Sequence, residues 1–214
     1  QQAGADDELR LVVNPDDDLS MRQMGLLQSW YGDSIRTAKL TVPAVTPMAV
    51  VASVTSSLYL FSGIANVTIS FDNPEHLLQQ SLFSAVAELP GLRKCKVLGG
   101  ALPSGDVRIE VLSSLRKLEQ LTLWPTGCGA LRDHHMEGLA LLSTKLHSLS
   151  CRGSDMLSDA GLTCLSSLRG LTSLKLKLGL QVTRGGVIKL LDALPDISSM
   201  SLCLQQAGQV TVVR

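Results

Sequence analysis

One pattern recurs along this chain at a nearly constant step, and it restricts the fold more than any other feature. The motif LxxLxL occurs as Leu118/Leu121/Leu123 and as Leu171/Leu174/Leu176. Relaxed to any compact apolar residue, it recurs as Ile35/Ala38/Leu40, Ile64/Val67/Ile69, Leu92/Cys95/Val97, Leu146/Leu149/Cys151 and Ile197/Met200/Leu202. The first positions fall at 35, 64, 92, 118, 146, 171 and 197, giving steps of 29, 28, 26, 28, 25 and 26 residues. Scattered matches arise by chance, but seven at such even steps do not. Leu9 and Leu11 lie 29 residues before Ala38 and Leu40, which predicts an eighth, N-terminal strand lacking the full motif. A period of roughly 20 to 50 residues is the signature of stacked repeats.

Each period has the same grammar. The x-Leu-x-Leu portion alternates polar and apolar residues, as a short strand with one buried face requires. Upstream, apolar residues recur at helical spacing: Leu162, Leu165 and Leu168 lead into Leu171, and Phe83, Val86 and Leu89 lead into Leu92. Helix starts are expected at Asn73-Pro74, Ser104 and Ser158-Asp159. Gly63, Pro90-Gly91, Gly170 and Pro195 punctuate the return to the strand. A strand and one helix cannot bury an apolar face alone, so the units must stack on one another.

The stretch LSDAGLTCLSSLRGLTSLKL, Leu157 to Leu176, resembles the repeat unit of F-box-type leucine-rich repeat proteins, with weaker echoes from Leu131 and Val182. The period with a full helix is similar to the ribonuclease-inhibitor-like and cysteine-containing subclasses. The chain departs from them in having no consistent residue just after the strand. The resemblance covers about residues 35–204. It implies an α/β leucine-rich repeat solenoid (a horseshoe), with parallel strands on the concave face and helices on the convex face. On this reading, residues 1–34 are an acidic cap with a first irregular repeat, 35–204 hold about seven repeats, and 205–214 form a C-terminal cap or a truncated end.

Composition excludes some functions. Nineteen acids balance nineteen bases, so bulk charge points to neither nucleic acid nor membrane. The balance is locally uneven, because residues 1–34 hold seven acids against Arg10 and Arg22. The five cysteines, Cys95, Cys128, Cys151, Cys164 and Cys203, form no CxxC pair. They read as free thiols in a reducing compartment, so an intracellular, cytoplasmic setting is expected. Cys95 and Cys151 take leucine positions and read as buried hydrophobes, whereas Cys203 falls on an outward position and should be the most reactive.

No phosphate-binding, dinucleotide-binding, nucleophile-elbow or zinc-protease motif occurs. The Gly99–Asp106 stretch lacks the lysine of a phosphate cradle and reads as a loop. His134 and His135 read as a surface pair at a helix start. Asn66-Val-Thr68 lies on a strand and reads as unmodified. The expectation is therefore a non-enzyme with no cofactor and no metal.

Register then maps the face a partner would meet. Successive strands offer Thr37, Lys39, Thr41; Asn66, Thr68, Ser70; Lys94, Lys96, Leu98; Gln120, Thr122, Trp124; Ser148, Ser150, Arg152; Ser173, Lys175, Lys177; and Ser199, Ser201, Cys203. The partner-binding candidates are Lys39, Lys94, Lys96, Trp124, Arg152, Lys175 and Lys177. They form a basic face without acids, with Trp124 as an aromatic anchor or folded over Leu98. Strand-flanking lysines also keep an exposed sheet soluble, so two readings stand. A third has the acidic N-terminus folding across the patch. The expected function is a protein–protein interaction module whose partner offers an acidic or phosphorylated segment, with membrane excluded and nucleic acid disfavoured. The alternatives are a scaffold subunit of a larger assembly, or a regulator of an enzyme. The regulator would be an F-box-type substrate receptor, or a GTPase-activating type with Arg132 or Arg152 as its arginine.

Overall fold

The computed structural model describes residues 8–13, 21–31, 34–102, 107–126, 131–142, 145–154, 156–204 and 208–213. Among them, eight strands run parallel in strict chain order, and a ninth is antiparallel. The strands are β1 Glu8–Val12, β2 Thr37–Val42, β3 Asn66–Phe71, β4 Lys94–Leu98, β5 Gln120–Trp124, β6 Ser148–Ser154, β7 Ser173–Leu178, β8 Ser199–Leu204 and β9 Gly208–Val213. The helices are α1 Met21–Tyr31, α2 Met48–Ser57, α3 Gln80–Ala87, α4 Asp133–Ala140, α5 Asp159–Cys164 and α6 Arg184–Ala193. The chain is thus α/β, with one sheet whose parallel strands alternate with helices.

The pairing follows the sequence period at every inward motif position and slips only between Cys151 and Ser154 of β6, where Gly153 has a φ of 72°. Ala38 sits beside Val67, Val67 beside Cys95, Cys95 beside Leu121, Leu121 beside Leu149, Leu149 beside Leu174 and Leu174 beside Met200. The expected N-terminal strand is present, with Leu9 against Ala38 and Leu11 against Leu40. At the other end, β9 turns back on β8, so the Val210–Val213 segment is a closing strand and not another repeat in step.

Two backbone devices repeat the geometry. Where each strand begins, one carbonyl accepts two successive N–H groups from the next unit. Arg36 O takes those of Ala65 and Asn66, Ala65 O those of Arg93 and Lys94, and Arg93 O those of Glu119 and Gln120. Glu119, His147 and Thr172 continue the series to Ser199. Before the strand, the chain returns through successive i to i+3 turns, as in Leu165, Leu168 and Leu171, or Val86, Leu89 and Leu92. Side chains three apart eclipse in such turns, so all three leucines point the same way. All are buried and join the inward strand residues in a continuous cluster running from Val13 to Leu202.

The structure departs from sequence expectation in three places. Asn73 does not start a helix; its Oδ1 accepts the Glu75 N–H at 2.9 Å in a local turn, and α3 begins seven residues later, at Gln80. The unit between β4 and β5 has a 3-10 stretch, Ile109–Ser114, in place of an α-helix. A loop follows β4. It opens on Gly99 and Gly100, with φ of 79° and 71°, and a Cβ on Gly99 would lie 2.5 Å from the Phe71 carbonyl oxygen. Finally, His135 is buried. Ser104 and Cys128 lie outside the described residues.

Candidate functional site

Alternation sends one residue of each strand pair inward and leaves the other on the solvent side of the sheet. On that side Lys39, Lys96, Arg152, Lys175 and Cys203 are exposed, and Lys94, Trp124 and Lys177 are half-buried. The register aligns Lys39, Thr68, Lys96, Thr122, Ser150, Lys175 and Ser201 in one row across the sheet. Lys94 and Lys96 flank Cys95 on β4, while Lys175 and Lys177 flank Leu176 on β7. All the predicted site residues therefore share this face.

The face is not free of acids. The register that pairs Leu9 with Ala38 also places Glu8 beside Thr37 and Arg10 beside Lys39. Glu8 Oε2 receives the Lys39 ammonium at 2.9 Å, and Glu8 Oε1 pairs with Arg10. The hydrogen bond from Lys39, then that from Arg10, holds the Glu8 carboxyl below its ordinary range. The same 29-residue offset that revealed Leu9 and Leu11 places Glu8 here, so the sequence carried the signal. Of the seven acids before residue 35, Glu8 alone falls among the described residues, and Asp6, Asp7, Asp16, Asp17, Asp18 and Asp33 lie outside them.

Trp124, the register neighbour of Leu98, does not stand free, and its indole reaches toward β6. Its Nε1–H donates to Ser150 Oγ at 3.0 Å, and the Arg152 guanidinium lies 4.0 Å from its ring centroid. The indole is a platform already capped by a cation, and the stack fixes the direction of Arg152. Asn66 Nδ2 donates to Thr37 Oγ1 at 3.1 Å, tying β3 to β2 on the same face.

The chain matches no protein-family model and no curated protein. What this surface can do must therefore be argued from its own groups. Exposed ammonium and guanidinium groups set among hydroxyls donate hydrogen bonds and attract anions. Among the described residues, no three His, Cys, Asp or Glu side chains gather to hold a metal, and no helix is long and apolar enough to cross a membrane.

On the opposite rim, the first residue of one helix accepts from the residue that caps the next. Asp133 takes the Ser158 N–H at 2.9 Å and its hydroxyl at 2.6 Å; Asp159 takes the Thr183 N–H at 2.8 Å and its hydroxyl at 2.6 Å. Gln80 Oε1 likewise takes the Arg108 N–H at 2.6 Å. Ile109, which opens the 3-10 stretch, has no acceptor to offer in that position. The Arg132 N–H turns instead to Nδ1 of its own helix's His135 at 3.0 Å. That demand draws His135 inward, contrary to the expectation of a surface pair, while His134 stays exposed.

His135 Nε2 finds no partner among the described residues. Burial, then the positive charge of His134 and Arg132, pushes the His135 pKa down to about 4. Between pH 4 and 6.5 the unfolded chain therefore binds a proton that the folded one refuses. Stability from this group is complete above pH 6.5 and drains away as pH falls toward 4. The full shift corresponds to about 3 kcal/mol, and with solvent screening we expect a loss of about 2 kcal/mol across that window. Urea unfolding at a series of pH values should show it, and His135→Gln should flatten it; an equally steep profile in that variant would assign the loss elsewhere.

Cys95 and Cys151 are buried at leucine positions, and burial raises both thiols to about 12. Cys203 is exposed, as its outward position predicts.

Proposed function

We propose that the chain is a leucine-rich repeat solenoid, a non-catalytic module that binds a partner protein through the concave face of its sheet. The repeated strand-entry carbonyls, the triple apolar turns and the shared register of the inward motif positions support the solenoid reading. One observation carries the binding reading. In a chain of balanced charge, the exposed side of one sheet gathers Lys39, Lys94, Lys96, Arg152, Lys175 and Lys177 around Trp124, with the Glu8 carboxylate beside Lys39. Buried free thiols fit an intracellular, reducing compartment.

Affinity capture tests this with the wild type beside a Trp124→Ala, Lys94→Glu, Lys175→Glu triple variant. All three substitutions fall on the solvent side, so the fold should persist. Partners held by the wild type should be lost from the variant. Partners retained equally by both would sink the reading.

A second reading rests on α1, where Trp30 is 73% exposed and Leu26 is 49% exposed one helical turn before it. Such a pair suits a scaffold subunit packed against a neighbour through its helical side. In the same capture, retention by the triple variant with loss on Trp30→Ala would favour it.

A further inference from the structure

We propose that the partner presents an extended segment running across the strands, with two anionic side chains four residues apart, one seated at Lys94/Lys96 on β4 and the other at Lys175 on β7. This rests on the concave face being the binding surface, and it deepens that reading.

The spacing comes from the sheet. Lys96 and Lys175 lie in one row, separated by Thr122 on β5 and Ser150 on β6. Three inter-strand steps of about 4.8 Å place the two strands roughly 14 Å apart. An extended chain advances about 3.4 Å per residue, so four residues cover that distance. Because four is even, residues i and i+4 project from the same side of the segment. Both can then face the sheet. Residue i+2 points the same way midway, above Ser150 and the Trp124–Arg152 stack. Thr68 and Thr122 flank Lys96, and Ser150 and Ser201 flank Lys175, so each basic position is set among hydroxyls.

The molecule already holds one carboxylate in this manner. Glu8 reaches Lys39, in the same row, from the neighbouring strand. That contact occupies Lys39 and leaves Lys96 and Lys175 as the anion seats. The chemistry is met by Glu, Asp or phosphoserine, and peptides distinguish the sources.

The test uses fluorescein-labelled eleven-residue peptides carrying two phosphoserines, or two glutamates, at i,i+4 or at i,i+3. The two spacings carry equal charge, so non-specific attraction cancels, while i,i+3 turns one anion away from the sheet. Anisotropy titration should show the i,i+4 peptide binding about tenfold tighter, the worth of one charge-assisted contact. Lys96→Glu and Lys175→Glu should each erase the preference, whereas Lys96→Arg and, off the face in the turn before β5, Lys117→Glu should keep it. Equal affinity for the two spacings overturns the proposal, as does a preference that survives Lys96→Glu. So does a single-stranded oligonucleotide that displaces the peptide more strongly at matched charge. Capture lost in the triple variant without any spacing preference would refute the segment and leave the binding face standing. Capture unchanged in that variant would remove both.

Discussion

Replacing Leu149 by alanine is expected to lower stability by about 3 to 4 kcal/mol, the usual loss when a large aliphatic side chain leaves a filled interior site. Leu149 is fully buried, with Leu121 on one side and Leu174 on the other. Neither flanking strand can move into the space without breaking its own ladder. Leu9 occupies the corresponding row in the terminal strand, where it is only half-buried. Its replacement by alanine should cost about 1 kcal/mol, since little cavity is left and less area returns to water. Urea denaturation of both variants measures the contrast. Equal losses at the two positions would mean that the interior layers are not stacked as described.

The second large effect reverses an ordinary rule. Glycine to alanine inside a helix normally gains up to about 1 kcal/mol. Gly161→Ala in α5 should instead destabilise by about 2 kcal/mol. A Cβ there would stand 2.3 Å from Asp133 Oδ1 and 3.1 Å from Asp133 Cα. The carboxylate cannot swing aside without releasing both groups of Ser158. Gly186 repeats the arrangement one unit later, with Asp159 Oδ1 2.1 Å from an added Cβ. In the Asp133→Ala background, Gly161→Ala should recover the helical gain, so a double-mutant cycle isolates the clash. A neutral or stabilising Gly161→Ala in the otherwise native protein would refute it.

These glycines explain why part of the molecule could be read in advance. A leucine every two residues on a strand reports burial directly, so all seven motif strands and their pairing followed from spacing. The Ser158-Asp159-x-Gly161 string was visible as a motif, but its reason lies in the preceding unit, through a contact between residues 25 positions apart. Local pattern cannot supply such a contact. His135 was misjudged for a related cause. Its burial answers a missing acceptor at Ile109, in the unit before it. Asn73-Pro74 carries a true turn signal, and the turn simply stops short of a helix. On the basic face, register placed every lysine correctly. The 29-residue offset also puts Glu8 on that face, but the Arg152 stack on Trp124 and the Glu8–Lys39 contact itself depend on side-chain rotamers, so neither contact could be read from the repeat alone.

The chain of rim acceptors has one further consequence. Asp133 and Asp159 bind α4, α5 and α6 to one another through side chains, and Gln80 binds α3 to the 3-10 stretch. Between that stretch and α4 no such tie is made among the described residues, where His135 accepts from its own helix instead. Each unit of a stacked array is held by its own stability plus a coupling to the next, and a weak coupling is where a cooperative zipper opens. At the seam after Ser114 the coupling rests on the strand ladder and on close backbone packing, where a Cβ on Gly138 would stand 3.0 Å from the Glu110 nitrogen. The seam lies beneath β4 and β5, between the two anion seats, so the packing there helps set the gap that a bound segment must span.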